Sequence, residues 1–310
     1  MPQQQQQQQH IERLREELRR QDARLNLLDF VRYTMPEFES SDHHGLICGE
    51  LERIYSGETT RLMLLCPPRH TKSELATRRF PAWWLGHRPS DQIISVSYNQ
   101  DLSTDFGRAV RGILQSEDYG RLFDTRLDPD ATAANRWATA QGGQYAAVGV
   151  GGPITGRGAN LAIIDDPVKD RVEADSPAFQ SRNYAWYTST LYTRLMPGGA
   201  IILIMTRWNL RDLAGLLLAD QENGTGDDWR IVSLPAIATA GDPLGRSVGE
   251  ALWPEWYSAT RLAEIKTVLP LRDWTALYQQ TPTEETGTFF KREWLRYYDA
   301  SGLDRISATA

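Results

Sequence analysis

The sequence predicts an α/β fold in which a mostly parallel sheet is flanked by helices. Two observations carry this prediction. From residue 61 onward, short apolar runs of strand length alternate with longer segments of helical periodicity, an order typical of strand–helix–strand units. The strand-length runs are apolar almost throughout, as expected for parallel strands that are buried on both faces.

The predicted elements can be placed in order along the chain. Strands are expected at residues 62–65, 93–98, 161–164, 201–205 and 230–234, and crossover helices at 73–85, 101–115, 178–195 and 210–221. Residues 144–150 predict a hairpin. Beyond about residue 240, Gly, Pro and Trp become frequent, and we expect a small helical linker or lid subdomain over 246–290, with a helix at 258–268.

The first 30 residues predict a tail followed by a helix. Residues 3–9 are all glutamine, a composition that cannot bury apolar surface and therefore predicts disorder. After them, leucine and isoleucine recur at helical spacing among many charges, which predicts an amphipathic helix. Packing of this helix on the main domain and a contact between subunits are both open. The core domain is expected over residues 31–245.

Composition and charge limit the classes of function. The 310 residues carry a formal net charge of −6, which argues against binding nucleic acid over the whole surface but leaves room for a local basic groove. No apolar run reaches the roughly 18 residues that a membrane span needs, and the N-terminus has no secretory signal pattern. Two cysteines, Cys48 and Cys66, cannot form a disulfide framework, so a reducing cytosolic setting is expected.

The stretch RLMLLCPPRHTKSE, residues 61–74, raises the first functional hypothesis. An apolar strand, a loop and Lys-Ser at a helix start form the order of a phosphate-binding P-loop. Lys72 would contact the β- and γ-phosphates, and the Ser73 hydroxyl would ligate Mg²⁺. Cys66 and Thr71 replace the two usual glycines, so by itself the motif leaves a chance Lys-Ser pair open. Because Thr71 is β-branched, a negative φ is expected there.

The stretch LAIIDDPVKD, residues 161–170, supplies the second half of such a site. An ATPase needs a carboxylate at the end of a neighbouring strand to hold hydrated Mg²⁺, and another group to orient the attacking water. Asp165 is predicted to face the metal, and Asp166 to act as the base, where many such enzymes carry Glu. A strand that merely ends in an Asp-Asp-Pro turn is the alternative. Both halves in this order favour a site for ATP and Mg²⁺.

Further positions are candidates for catalysis. Thr206 follows a predicted central strand at its C-terminal end, where a hydroxyl can sense the γ-phosphate. Arg69, Arg157 and Arg207 are candidates to stabilise charge on the transferred phosphoryl group, in cis or from a neighbouring subunit. Arg157 lies between two glycines in GPITGRGAN, which suits reach across an interface. A satisfied strand-end hydroxyl and ordinary surface charges are the alternatives.

Two upstream histidines and the rest of the loop complete the predicted nucleotide site. His43 and His44 precede a predicted helix, and either ring could stack on a nucleotide base or hydrogen-bond to it. A metal role is disfavoured because no His or Cys partner stands at ligand spacing. The loop positions expected to contact nucleotide are Pro68, Arg69, His70, Thr71, Lys72, Ser73 and Glu74.

In this order, the motifs resemble those of the large terminase subunit of tailed bacteriophages, over residues from about 27 to 298. The segments that carry the likeness include RLMLLCPPRHTKSE, TGRGANLAIIDDPVKD, IMTRWNLRDLAG and ALYQQTPTEETGTFFKREWLRYY. A loop of the form PPRHxKS, without a glycine before the lysine, looks like an ordinary variant in that family. The resemblance implies a RecA-like P-loop NTPase core of the ASCE class.

The resemblance also implies a function and partners. Such a subunit hydrolyses ATP to move double-stranded DNA into an empty procapsid through the portal protein. It works with a small terminase subunit and as a homo-oligomeric ring, in the cytoplasm of the infected bacterium and without a membrane. An RNase H-like nuclease follows the motor domain in that family. We expect residues 291–310 to begin that region, and its acidic cluster and cutting activity to be missing from this chain.

Two other functions stay open. A helicase-like P-loop motor for nucleic acid would need a second RecA-like core or paired helicase motifs, and the 310 residues indicate one core. A packaging scaffold that has lost turnover would keep the loop without hydrolysing ATP.

Overall fold

The apolar runs that predict a sheet do form one. The computed structural model describes residues 2–154 and 156–283. The strands in these ranges are β1 (Arg61–Leu65), β2 (Gln92–Ser97), β3 (Leu127–Ala133), β4 (Arg136–Thr139), β5 (Gln144–Gly149), β6 (Ala159–Asp165), β7 (Leu195–Met205) and β8 (Arg230–Ser233). They lie in the order β3-β4-β5-β2-β6-β7-β1-β8, and the six strands from β5 to β8 in that order are parallel. The predicted α/β fold with a mostly parallel sheet is confirmed.

Both faces of the sheet are buried, which explains the continuous apolar runs. Along β1, Leu62 and Leu64 pack into a hydrophobic cluster on one face, whereas Met63 and Leu65 pack into a second cluster on the other. Successive side chains of a strand point to opposite faces. A strand between two helical layers therefore needs an apolar side chain at every position.

Helices cover the two faces. They are α1 (Pro2–Leu25), α2 (Leu27–Thr34), α3 (Asp42–Ser56), α4 (Phe80–His87), α5 (Gln100–Gln115), α6 (Glu117–Leu122), α7 (Arg171–Ala174), α8 (Pro177–Trp186), α9 (Leu213–Glu222), α10 (Ala259–Val268) and α11 (Leu271–Asp273), with wider π-type turns at Glu74–Arg79, Tyr187–Leu191 and Trp274–Tyr278 and a 3-10 turn at Tyr192–Arg194. The first six helices contribute to the cluster around Leu62, and α8 and α9 to the opposite one. No helix in the described ranges is both long enough and apolar enough to cross a membrane.

One edge of the sheet differs from the prediction. Residues 144–150 do not form a hairpin by themselves, because β5 is a single strand that pairs parallel with β2 and antiparallel with β4. The hairpin is made with β4, and β3 pairs antiparallel beyond it. β3 is largely exposed, and β4 has only four residues, so neither carries the apolar run by which strands are recognised.

The glutamine run also differs from the prediction, because residues 3–9 belong to α1 and not to a disordered tail. Glutamine costs little in a helix, and a helix that the following residues have nucleated lengthens by one hydrogen bond for each residue added. The other end of α1 packs on the main domain: Ala23 is buried, and Trp83 Nε1 donates to the Arg24 carbonyl at 3.1 Å. Leucines nearer the N-terminus are exposed.

A smaller hydrophobic cluster lies in residues 235–283, here called the C-terminal segment. Its buried members are Ala236, Ala251, Leu262 and Trp274. The predicted helix at 258–268 is present as α10, which Ser258 caps by accepting from the Arg261 backbone N–H at 3.2 Å. The bounds predicted for the linker subdomain stay a prediction, and residues 284–310, with the expected start of a nuclease region, lie outside the described residues.

Candidate functional site

The C-terminal ends of three adjacent strands bring the predicted site residues together. β6, β7 and β1 are neighbours and parallel, with Leu65 opposite Met205 and Asp165 opposite Ile204. The loop after β1 carries Lys72 and Ser73, β6 ends in the two aspartates, and Thr206 follows β7. The carboxyl end of a parallel sheet is where open α/β folds bind ligands.

Lys72 is the centre of this edge. Its side chain is buried, with 6% of the residue exposed. Nζ donates to Thr206 Oγ1 at 2.9 Å and forms an ion pair with Asp166 Oδ2 at 3.0 Å. Burial by itself lowers the pKa of Lys72, but Asp166 and Asp165 outweigh it, so the net pKa is raised. Lys72 is therefore a charged ammonium, held by two oxygens at a place suited to phosphate oxygens.

Ser73 and Asp165 form an oxygen pair beside the lysine. Ser73 Oγ donates to Asp165 Oδ1 at 3.0 Å, and Thr77 Oγ1 donates to Oδ2 at 2.5 Å. Asp165 is buried, and that burial, with the nearby Asp166 charge, raises its pKa to about 6. Thr77 is not among the residues predicted for the site, although it lies one helical turn after Ser73.

The donor set around Asp165 fits Mg²⁺. Mg²⁺ prefers hard oxygen ligands and is usually bound by one or two protein groups together with waters and substrate phosphates. Ser73 and Asp165 offer a hydroxyl and a carboxylate within 3.0 Å of each other. Across residues 2–154 and 156–283, no cluster of three or more His, Cys, Asp and Glu side chains is placed to hold a metal ion.

Asp166 has a strained backbone and a fixed side chain. Its φ is +44°, a left-handed value that is uncommon for residues other than glycine. Its N–H donates to the Ile204 carbonyl at 2.8 Å, and Oδ1 accepts from the Thr206 N–H at 2.7 Å. With Oδ2 on Lys72, both carboxylate oxygens have partners, so the orientation of the carboxylate is fixed.

The loop backbone corrects the expected negative φ at Thr71. Arg69 has a φ of +64° and Thr71 a φ of +58°. Glycine would adopt this geometry without a Cβ penalty. Here the prediction from β-branching is wrong because hydrogen bonds of the Thr71 hydroxyl outweigh the local preference: Oγ1 lies 2.6 Å from His44 Nε2 and donates to the His70 carbonyl at 2.8 Å.

His44 lies beneath the loop and supports it. The Ser41 backbone N–H donates to His44 Nδ1 at 2.8 Å, so the proton of the neutral ring is on Nε2, which donates to Thr71. Burial, with the neighbouring His70, lowers the pKa of His44 to about 4. The neutral tautomer is therefore fixed, and a chain of hydrogen bonds runs from the start of α3 into the loop.

The two upstream histidines do not form an open base-binding surface. His43 and His44 are both fully buried, with ring centroids 3.8 Å apart, and both contact Trp253. His70 is also buried; its Nδ1–H donates to the Pro68 carbonyl at 2.9 Å, and its ring stacks on Tyr257. The predicted base contact of His43 and His44 is thus replaced by a role in packing, because their faces are covered by protein.

The remaining candidates lie around the site or away from it. Arg69 is exposed on the loop, whereas Glu74 is engaged by Arg78 at 2.9 Å and Arg79 at 2.8 Å. Arg207 is buried and forms an ion pair with Asp212 at 3.0 Å, which gives it a structural role.

Arg157 lies at the opposite end of the sheet from Lys72. It is half-buried and precedes the first residue of β6, whereas Asp165 is the last residue of that strand. At about 3.3 Å per residue, one strand length of roughly 20 Å separates them. Burial and the nearby Arg136 lower the pKa of Arg157. The structure therefore does not bring Arg157 to the phosphate site of its own chain.

Comparison with known proteins gives a family match and similar solved structures. Residues 63–297 match the family described as terminase large subunit, T4likevirus-type, N-terminal. The structure of the HK97 bacteriophage large terminase is similar with a TM-score of 0.50 at 14% identity, covering 80% of this chain and 52% of that one. A mutant of the ATPase domain of the Thermus phage P74-26 large terminase has a TM-score of 0.50 at 17% identity, covering 82% and 98%. No curated protein matches the sequence.

These structural similarities establish the fold, which is that of phage terminase ATPase domains. The chain spans about half the length of the HK97 protein, 52%, and nearly all of the P74-26 ATPase domain, 98%.

The chain of hydrogen bonds through Thr71 predicts a stability effect. Thr71→Val keeps the shape of the side chain but leaves the buried His44 Nε2–H without its acceptor, which should lower the free energy of unfolding by about 1–3 kcal/mol. Urea denaturation measures the change. Thr193→Val, at an exposed hydroxyl, should shift stability by no more than about 0.5 kcal/mol. Equal stability of wild type and Thr71→Val would contradict the supporting role.

The raised pKa of Asp165 predicts that this residue costs stability. The folded protein holds the Asp165 proton up to about pH 6, whereas an unfolded Asp titrates near about 3.9. The ionised side chain therefore destabilises the fold fully above about pH 6, and the cost fades as the pH falls towards 4. Asp165→Asn should raise the melting temperature at pH 7.5, and the gain should shrink below pH 6. A loss of stability at pH 7.5 in Asp165→Asn, relative to the exposed control Asp228→Asn, would overturn this.

Proposed function

The chain belongs to the large terminase subunits of the T4-like type, matched through their N-terminal part, and on that premise we propose that it is the ATPase motor of viral genome packaging. It hydrolyses ATP and moves double-stranded DNA into a procapsid through the portal. The observation that carries the proposal is the meeting of Lys72 and Ser73 with Asp165, Asp166 and Thr206 at one edge of the sheet.

ATP binding is proposed to exchange partners within this cluster. Lys72 gives up Asp166 Oδ2 and Thr206 Oγ1, at 3.0 and 2.9 Å, and donates instead to the β- and γ-phosphate oxygens. The exchange keeps the buried ammonium paired at every stage, which a buried charge requires. Ser73 and Asp165 would hold Mg²⁺, which would supply positive charge to neutralise the developing negative charge on the phosphates.

Asp166 is proposed to orient the attacking water once Lys72 has released it. Its Oδ1 remains on the Thr206 N–H, so the carboxylate turns about a fixed point and does not leave the site. Freed Oδ2 can accept a hydrogen bond from water, as a general base must. Thr206 would lose its hydrogen bond from Lys72 when the γ-phosphate is bound. It is therefore the residue proposed to sense whether that phosphate is present.

Arg157 is proposed to act on the ATP of a neighbouring subunit. One strand length separates it from Asp165, which argues against direct contact with its own site, and burial with the nearby Arg136 lowers its pKa. An anionic partner from outside the chain would relieve that repulsion. A homo-oligomeric ring on the portal places one subunit's arginine beside the next subunit's phosphates. Arg69, within its own loop, is proposed to act in cis.

Partners follow from the same proposal. They are double-stranded DNA, the portal protein and procapsid, and the small terminase subunit, in the cytoplasm of an infected bacterium. A scaffold without turnover and a helicase-like motor are the competing functions, and an ATPase assay with and without DNA and portal-bearing procapsids separates the three.

Removing either half of the phosphate site should abolish turnover. Lys72→Ala removes charge compensation and should also weaken ATP binding, whereas Asp165→Ala removes the anchor for Mg²⁺. Phosphate release under steady-state conditions measures both. Lys266→Ala and Asp228→Ala, at exposed positions, serve as matched controls and should keep the wild-type rate. Near-normal hydrolysis in either site variant would refute the assignment.

Arg157→Ala should cripple hydrolysis, since an arginine finger contributes on the order of 10³–10⁵ in rate, while ATP binding stays nearly intact. The decisive experiment mixes Arg157→Ala with Lys72→Ala subunits under assembling conditions. The first variant keeps a sound ATP site and the second keeps a sound finger. The mixture should hydrolyse ATP faster than either variant alone. Arg261→Ala, which removes an exposed arginine elsewhere, is the control and should keep the wild-type rate. Mixed rings that form without restored hydrolysis would make Arg157 a structural residue.

A further inference from the structure

A cavity of about 530 Å³ opens beside the phosphate loop. Its lining includes Met35 and Phe38, from the connection between α2 and α3, and Trp253 and Trp256 of the C-terminal segment. The volume is in the range of about 300–1,000 Å³ typical of small-molecule sites. We propose that this cavity receives the purine base of the nucleotide and that Trp256 stacks on it. The inference rests on the proposed ATPase function and deepens it.

The cavity borders the loop that carries Lys72. Arg69 and Thr71 of the loop line it, and Thr71 directly precedes Lys72. A nucleotide whose phosphates lie against Lys72 therefore has this cavity within reach of its base. Arg69 is exposed and makes no ion pair within the described residues, so its guanidinium is available at the junction between phosphates and base.

Trp256 has a free aromatic face. The residue is 62% exposed, and its ring stacks on Trp253 with centroids 5.5 Å apart and planes at 24°. Trp253 in turn packs edge-on against His44 at 4.7 Å. One face of the Trp256 indole is thus fixed by a buried aromatic layer while the other is open, and an aromatic face held in this way is what a base stacks on.

The other residues that line the cavity have suitable chemistry. Phe38 packs on His44 with ring centroids 4.9 Å apart, so it is anchored to the same buried layer as Trp253. Glu37 and Glu39 also line the cavity and are exposed. They would repel a triphosphate but can accept hydrogen bonds from the amino group of a purine. Charge therefore orients the nucleotide, with its phosphates towards Lys72 and its base towards the tryptophans.

A base in this cavity would touch two parts of the chain. Phe38 precedes the core sheet, whereas Trp256 belongs to the C-terminal segment. Nucleotide binding would then stabilise the position of that segment against the core, which phosphate binding alone does not do.

The test separates base binding from phosphate binding. Isothermal titration with ATP, ADP and inorganic tripolyphosphate is carried out on wild type, Trp256→Ala, Trp256→Phe and the control Leu271→Ala, an exposed apolar residue of the same segment. Trp256→Ala should weaken ATP and ADP roughly 5- to 150-fold, the range that loss of base–aromatic stacking gives. Tripolyphosphate affinity should not change. Trp256→Phe should restore most of the nucleotide affinity, and Leu271→Ala should match wild type.

Two results would overturn the proposal while leaving the ATPase function in place. The first is wild-type nucleotide affinity in Trp256→Ala. The second is an equal loss of tripolyphosphate and ATP affinity, which would show that Trp256 shapes the loop and not the base site. A wild-type protein that binds neither ATP nor tripolyphosphate would refute the ATPase proposal itself, and the base pocket with it.

Discussion

The buried ammonium of Lys72 is the constraint on which the rest of the structure depends. An unpaired charge inside a protein is very costly, and leaving one partner of a buried pair alone costs about 3–5 kcal/mol. Lys72 Nζ is paired with Asp166 Oδ2 at 3.0 Å and with Thr206 Oγ1 at 2.9 Å. These pairs can form only because β6 and β7 end beside β1. The strand order, the two aspartates and the strand-end threonine are therefore parts of one electrostatic arrangement.

A second constraint is the loop geometry without glycines. Positive φ at Arg69 and Thr71 costs free energy that glycine would avoid, and the surrounding structure has to offset it. The hydrogen bonds from Ser41 through His44 to Thr71 do part of this. The buried His44 and His70 also pack against Trp253 and Tyr257. His44 thus supports the positive φ at Thr71 in a loop that lacks the usual glycines.

The sequence predicted what depends on local pattern and missed what depends on distant packing. Continuous apolar runs identify the parallel strands, and polar residues at their ends identify Lys72, Asp165 and Thr206. The sign of φ at Thr71 could not be predicted, because hydrogen bonds from another helix decide it. The burial of His43 could not be predicted either, since the covering Trp253 comes about 200 residues later in the chain.

The end of β7 connects the site to the C-terminal segment. Thr206 accepts from Lys72, and the next backbone N–H, that of Arg207, donates to the buried Gln280 Oε1 at 3.1 Å. The Arg207 guanidinium binds Asp212, whose carboxylate caps α9 at the Gly215 N–H. If a phosphate draws Lys72 away from Thr206, the change occurs at the residue next to Arg207, whose N–H is hydrogen-bonded to Gln280 of the C-terminal segment. A nucleotide whose base stacks on Trp256 would therefore be linked to the C-terminal segment in two ways: directly through Trp256, and indirectly through Thr206 and Arg207 at the end of β7. Hydrolysis would change the indirect link first, because it acts on the phosphate beside Lys72. Release of the nucleotide would then remove the contact with Trp256.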